Sequence, residues 1–101
     1  MTTVSKKEQL NQDSEVLVCA FLSGQERAFY QLVALWKKPL LNYFHHQLHV
    51  FSLSEELTQE VFIRVFKTQK YQAQGWFSAW IYSIAQNILR DYLRKNKLKE
   101  F

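Results

Sequence analysis

The chain contains very little glycine, proline and cysteine. Two glycines and one proline leave few turn signals, and this scarcity favours long helices over many short strands. A single cysteine, Cys19, excludes an internal disulfide. Cys19 lies in the apolar run 16–22, so we expect it to be buried as a small hydrophobic side chain.

Long apolar spans are also missing. The N-terminus is polar and carries Lys6, Lys7 and Glu8, a pattern that does not fit a signal peptide. No stretch is long and apolar enough for membrane insertion, so we expect a cytoplasmic protein. Hydrophobic residues still make up 48% of the chain, which is enough for one folded domain with a single core.

The charge is unevenly distributed. The formal net charge is +4, but residues 1–66 carry −1 and residues 67–101 carry +5. A basic C-terminal third is suited to a polyanion such as nucleic acid. The alternative is a solubilising helix end, because lysine and arginine also favour helix C-termini.

The hydrophobic spacing predicts an all-α protein, a compact bundle of about four helices. A loose segment over residues 1–12 precedes a short first helix, which Asp13 or Ser14 can cap and Gly24 can end. A second helix follows, and Pro39 should kink or restart it because proline cannot donate the intrahelical hydrogen bond.

Two further helices are predicted in the C-terminal half. Ser52 with Glu55 fits a capping box and opens the third helix, whose core face comprises Leu53, Leu57, Val61, Phe62, Val65 and Phe66. After a connector over 68–75, the fourth helix starts near Trp76 and runs past Leu93. Its core stripe comprises Phe77, Trp80, Ile81, Ile84, Ala85, Ile88 and Tyr92.

The opposite faces of these two helices carry the candidate binding residues. On the third helix they are Glu56, Gln59, Glu60 and Ile63, a mixed set that suits a protein partner. A solvated face with a Glu60–Arg64 pair is the alternative. On the fourth helix they are Trp76, Ser83, Asn87, Arg90, Arg94 and Lys97. Arginine and lysine can neutralise phosphates, Asn87 can bond to base edges, and Trp76 can either stack on an unpaired base or pack on the connector.

The connector has a composition that suits nucleotide binding. A flipped base could stack on Tyr71 while Gln72 or Gln74 reads its edge. An ordinary polar loop is equally compatible with these residues.

Three histidines form a tempting metal motif. His45 and His49 stand four residues apart and could bind zinc, but a metalloprotease would need glutamate in place of His46, and no third ligand is evident. We therefore expect partly exposed histidines, no metal and no cofactor. The sequence also has no nucleophile elbow, phosphate loop or carboxylate pair, so we expect no enzyme activity.

Three segments resemble one protein family when they are taken in order. They read GQERAFYQL at 24–32, SEELTQEVFIRVF at 54–66 and FSAWIYSIAQNILRDYLRK at 77–95. Together they resemble region 2 of a bacterial sigma-70 family factor of the small extracytoplasmic-function (ECF) type. The resemblance covers about Ser14 to Lys97.

The resemblance implies a transcription initiation domain over 13–98. Its third helix would dock on the β′ clamp helices of core RNA polymerase through Glu56, Gln59 and Glu60. Its fourth helix would recognise and melt the −10 promoter element, with Asn87, Arg90 and Arg94 facing the non-template strand. Residues 71–75 would capture a flipped base, and an anti-sigma protein is a candidate further partner.

The chain departs from the family pattern in three ways. Glu56 stands where aspartate is usual, and Gln86 stands where arginine is common, which removes one phosphate contact. Family members continue through a linker into a helix-turn-helix domain, and that linker would begin at 99–101, so we expect an excised domain. The competing hypothesis is a pure protein-interaction module: either a sigma-like co-regulator without promoter recognition of its own, or a domain whose DNA face is normally covered by an anti-sigma partner.

Overall fold

The computed structural model describes residues 3–68, residue 71 and residues 75–99, with side chains up to residue 96. Four helices follow one another: α1 (Lys6–Leu22), α2 (Glu26–Leu48), α3 (Phe51–Lys67) and α4 (Phe77–Lys99). The described residues include no strand. The predicted all-α bundle of about four helices is confirmed.

Helix α1 begins earlier than the sequence analysis predicted. The Ser5 hydroxyl accepts a hydrogen bond from the backbone N–H of Glu8 at 3.1 Å, so Ser5 caps the helix. A serine followed three residues later by glutamate is the pattern of a capping box. The predicted start at Asp13 or Ser14 is therefore wrong, and residues from Lys6 onward are helical.

The end of α1 agrees with the prediction. Gly24 has a φ of 104°, in a region that residues with a Cβ rarely adopt. Its N–H donates to the Phe21 carbonyl, and the N–H of Gln25 donates to the Ala20 carbonyl, each at 3.0 Å. This pair of bonds is a Schellman motif, which ends the helix.

Helix α2 supplies the centre of the core. A row of buried side chains runs along it at four-residue spacing: Ala28, Leu32, Trp36, Leu40 and Phe44. The helix continues through Pro39 without interruption, so the predicted restart is wrong. Proline removes one backbone hydrogen bond, but Trp36 and Leu40 on either side of it are fully buried, and this packing holds the helix together.

A buried polar contact joins α1 to α2. Trp36 donates its indole N–H to the Ser14 hydroxyl at 2.7 Å. The Ser14 hydroxyl in turn donates to the Leu10 carbonyl at 2.7 Å. Both side chains are almost completely buried, so each polar group depends on its protein partner.

The N-terminus of α3 differs from its prediction. The N-cap is Val50, which makes no side-chain capping bond. The predicted capping box of Ser52 and Glu55 is wrong, because Ser52 lies inside the helix.

The buried face of α3 is also rotated from the predicted stripe. Its fully buried residues are Ser54, Thr58, Val61 and Val65, whereas Leu53, Leu57 and Phe62 are half-buried and Phe66 is exposed. Ser54 donates to the Val50 carbonyl at 2.8 Å and Thr58 to the Ser54 carbonyl at 2.7 Å. These bonds satisfy the hydroxyls inside the helix, so small polar side chains can be buried there.

The predicted core stripe of α4 is confirmed. Phe77, Ile81, Ala85 and Ile88 are buried, and Trp80, Ile84 and Tyr92 are half-buried. The analysis missed two residues that widen this face. Leu89 is buried, and Tyr82 packs edge-on against Trp36 with 5.5 Å between ring centroids.

Cys19 is exposed, so its predicted burial is wrong. Only the face of α1 that carries Ser14 and Val18 is fully buried, and Cys19 lies one residue beyond it. Among the described residues, no helix has both the length and the apolar character that crossing a membrane requires.

Candidate nucleic-acid and protein interfaces

The outer face of α4 is a row of exposed side chains. Trp76, Ser83, Asn87, Arg90 and Arg94 are all exposed. They recur at three-, four- and seven-residue spacings, which place them on one side of a helix. We call these residues the α4 outer row. Lys97 follows in the backbone of α4, but its side chain lies outside the described residues.

Among the described residues, most cationic and amide groups of this row have no hydrogen-bond or ion-pair partner. In the part of the chain that the structure describes, the side chains of Asn87 and Arg90 make no hydrogen bond or ion pair. Arg94 donates to an Asp91 oxygen at 2.7 Å, and both side chains are exposed. Ser83 donates to the Trp80 carbonyl at 2.6 Å. The row therefore presents two arginines and one amide to solvent.

Trp76 is 66% exposed and stands directly before α4. A tryptophan with that exposure leaves much of its ring surface available to a planar ligand. The alternative prediction, packing on the connector, involves residues 69, 70 and 72–74, which lie outside the described residues.

Tyr71 is held by the fold on two sides. Its hydroxyl donates to a carboxylate oxygen of Glu15, and its ring lies 4.7 Å from Trp80 and 5.7 Å from Phe77 between centroids. Burial and the bond to Glu15 raise the pKa of Tyr71 well above its ordinary value. The tyrosine thus stays neutral and keeps its donor. Gln72 and Gln74, the predicted base-reading amides, lie outside the described residues.

Two side chains of α1 reach the start of α4. Glu15 accepts a hydrogen bond from the backbone N–H of Phe77 at 2.8 Å, and Asn11 accepts one from Ser78 at 2.8 Å. Asn11 also donates to the Gly75 carbonyl at 2.8 Å. Sequence reasoning missed these contacts, because partners 62 and 67 positions apart leave no local signal.

The predicted protein-binding residues of α3 are accessible. Glu56 and Gln59 are exposed, and Ile63 is 46% exposed. Glu60 accepts from Arg64 at 3.4 Å, with both side chains over 40% exposed. A surface pair of this kind is weak, about 0.3–0.5 kcal/mol, so it leaves Glu60 available to a partner.

Beside these residues lie two shallow hollows between α2 and α3. One has a volume of about 270 Å³ and the other about 370 Å³. Both are lined by Val33, Gln59 and Phe62, and the larger one also by Ile63 and Phe66. The sequence did not predict them, because they depend on how α2 and α3 pack together.

The three histidines are exposed side chains at the end of α2. His49 lies outside the helix with a φ of 59°, so His45 and His49 do not share one regular helix face. Their ring centroids are 6.3 Å apart. No group of three metal-ligating side chains occurs among the described residues.

The Sigma-70 region 2 family model matches residues 32–99. The chain is 31% identical over 75 residues to the ECF RNA polymerase sigma factor SigW of Bacillus subtilis, covering 73% of this chain and 40% of the relative. It is 35% identical over 60 residues to a probable RNA polymerase sigma factor of Haemophilus influenzae, covering 58% and 31%.

A third relative is the ECF RNA polymerase sigma factor SigE of Mycolicibacterium smegmatis, 40% identical over 42 residues, with 42% of this chain and 16% of the relative covered. The chain thus spans 40% or less of the length of these relatives. No solved structure matches the chain significantly.

The family match defines the class of this protein as a sigma-70 region 2 domain. This family consists of transcription factors and is not a known class of enzymes. The chain belongs to the sigma-70 region 2 family, and its predicted resemblance to the ECF type is confirmed by the relatives named above.

Proposed function

We propose that the domain acts in transcription initiation: α3 binds the β′ clamp helices of core RNA polymerase, and α4 with the connector recognises and melts the promoter −10 element. The observation that carries the proposal is the α4 outer row, exposed in a chain that belongs to the region 2 family. A cytoplasmic location is part of the proposal. Polymerase performs the catalysis, and this domain positions the DNA.

The DNA contacts follow from the chemistry of the α4 outer row. Arg90 is unpaired among the described residues and can bind a phosphate directly. Arg94 can exchange its exposed Asp91 partner for a phosphate, since a surface ion pair contributes only about 0.2–1 kcal/mol. Asn87 offers both a donor and an acceptor to a base edge.

Base capture falls to the residues around the connector. Trp76 can stack on an unpaired base, which contributes about 1–3 kcal/mol per base. This stabilisation is of the size needed to offset unstacking, which takes a few kcal/mol. Tyr71, Gln72 and Gln74 complete the proposed pocket; since the Tyr71 hydroxyl is bonded to Glu15, its ring is the part offered to a base.

The polymerase contact combines polar and apolar groups on α3. Glu56, Gln59 and Glu60 can accept hydrogen bonds from cationic or amide donors of the clamp helices. Ile63 and the hollows beside it offer the apolar surface against which a helix can pack.

Fluorescence anisotropy with single-stranded −10-like oligonucleotides tests the DNA contacts. We expect binding that weakens with salt, with a slope of log affinity against log salt that falls by about 0.7 when one phosphate contact is removed. Arg90→Ala or Arg94→Ala should lower both affinity and slope. Asn87→Ala should lower affinity without changing the slope, because it removes no charge.

The matched control is Arg27→Ala, which removes the same charge from an exposed position on α2. It should leave the slope unchanged. Absent or salt-independent binding by the unaltered chain would overturn the DNA half of the proposal and favour a protein-interaction module.

Capture of a β′ clamp fragment tests the polymerase contact. The double variant Gln59→Ala plus Glu60→Ala should reduce capture while the helical circular dichroism stays intact. Gln47→Ala plus Glu26→Ala removes the same side-chain types from exposed positions on α2 and should not affect capture. Undiminished capture by the α3 variant would remove this assignment.

A further inference from the structure

Helix α4 starts without a capping residue of its own. The first backbone N–H groups of a helix need acceptors from outside the helix. Gly75 and Trp76, which precede α4, have no side-chain oxygen to supply one. The acceptors come from α1 instead: Glu15 receives the N–H of Phe77 and Asn11 receives that of Ser78, each at 2.8 Å.

The same two side chains also hold the connector. Asn11 donates its amide to the Gly75 carbonyl at 2.8 Å, and Glu15 receives the Tyr71 hydroxyl. Tyr71 and Gly75 flank residues 72–74 in the chain. We call Asn11 and Glu15 the α1 latch, because they bind the connector on both sides of the residues proposed to read a base.

The chemistry of the latch suits rigid positioning. Glu15 brings a carboxylate to a helix N-terminus, where the macrodipole favours negative charge. Asn11 uses its carbonyl oxygen as an acceptor and its amide as a donor at once, so its orientation is fixed at both ends. A binding site is positioned more precisely when supporting residues hold its groups by hydrogen bonds.

We propose that Asn11 and Glu15 are positioning residues for base recognition: they fix Tyr71, Gly75 and the start of α4 without touching DNA. This inference rests on the proposed function. It predicts that base discrimination depends on α1, while phosphate binding by Arg90 and Arg94, further along α4, does not.

Asn11→Asp separates positioning from fold stability. The variant keeps an oxygen that can accept the Ser78 N–H, so the cap of α4 survives. It loses the amide that donates to the Gly75 carbonyl, and it places a negatively charged carboxylate beside that carbonyl oxygen. Gln12→Glu is the matched control, because it adds the same charge at the next, exposed position of α1.

Amide hydrogen exchange by NMR verifies the state of the latch. In Asn11→Asp the Ser78 amide should exchange at the rate of the unaltered chain. In Asn11→Ala it should exchange about tenfold faster, since a part-buried donor loses its acceptor. Unchanged Ser78 exchange in Asn11→Ala would overturn the latch itself.

DNA binding then tests the inference. The unaltered chain and Gln12→Glu should discriminate single-base variants of a −10-like oligonucleotide by about tenfold or more. Asn11→Asp should lose most of this discrimination with a salt slope equal to that of Gln12→Glu. Tyr71→Phe, which keeps the ring and loses the bond to Glu15, should lose part of it.

The outcomes separate the two proposals. Retained discrimination in Asn11→Asp and Tyr71→Phe would overturn the positioning role and leave the proposed function intact. No DNA binding by the unaltered chain would overturn the proposed function, while the exchange measurement would still report on the latch.

Discussion

Ser14→Ala should destabilise the fold through one buried hydrogen bond. The Ser14 hydroxyl is the acceptor for the indole N–H of Trp36, at 2.7 Å in the interior. Alanine leaves that N–H buried without a partner, which costs about 1–3 kcal/mol. The higher helix propensity of alanine offsets about 0.5 kcal/mol of this. The net loss of about 0.5–2.5 kcal/mol should lower the melting temperature by roughly 2–20 °C.

Circular dichroism during urea unfolding measures the effect, and a double-mutant cycle assigns it. In Trp36→Phe the Ser14 hydroxyl keeps its bond to the Leu10 carbonyl, so the loss reflects packing. Ser14→Ala combined with Trp36→Phe should then be less destabilising than the sum, by about 1 kcal/mol. Ser52→Ala, at an exposed serine of α3, is the control and should stay within about 0.5 kcal/mol. An additive cycle would refute the reasoning.

Two further predictions concern the connector and alkaline pH. Gly75 has a φ of 81° with open space around its Cβ position, so Gly75→Ala should lose about 1–2 kcal/mol in urea unfolding from backbone strain alone; a loss below about 0.3 kcal/mol would contradict it. Tyr43, Tyr71 and Tyr82 have pKa values raised above the ordinary 10.0, chiefly by burial. Their protonation therefore stabilises the fold below about pH 10, and this stabilisation is lost as the pH rises through the raised pKa values. Between about pH 9 and about pH 11, the urea midpoint should fall less in Tyr71→Phe than in the unaltered chain. An equal fall in both proteins would refute the assignment.

Helical periodicity was sufficient to predict the faces of α4. Residues such as Asn87 and Arg90 are polar in a regular pattern, and their exposure follows from the burial of Ile81 and Ala85 on the other side. Gly24 as the end of α1 was predictable for a similar reason, because the sequence signal and the cause are local. Whether the exposed residues bind DNA stays a prediction.

The sequence contains two capping-box patterns, and the prediction used the one that does not cap a helix. Ser5 and Glu8 have the same spacing as Ser52 and Glu55, yet only the first pair caps a helix. Few apolar residues follow the pattern at 5–8, so it is a weak signal for a helix start. At Ser52 the helix had already begun at Phe51, so a spacing rule alone cannot distinguish a cap from an interior serine.

Burial was hardest to predict for polar residues that are buried and for residues of apolar runs that are exposed. Ser54 and Thr58 are buried because their hydroxyls bond to carbonyls one turn earlier, and hydropathy does not register such bonds. Cys19 shows the reverse case: an apolar run predicted burial, but the residue faces outward on α1. The position of a residue around the helix axis decides its exposure. How the helix is rotated about that axis depends on its packing against the neighbouring helices.

Tyr71 belongs to the proposed base pocket and also packs against the core. Residues of the α4 outer row such as Asn87 and Arg90 lie outside the core, so substitutions there can change binding with little effect on folding. Tyr71 instead packs on Phe77, a fully buried residue, and binds Glu15. A substitution that removes the Tyr71 ring therefore perturbs the core and the proposed pocket together. Base recognition is thus better dissected through Asn11, whose bond to Gly75 can be removed while its acceptor for α4 remains.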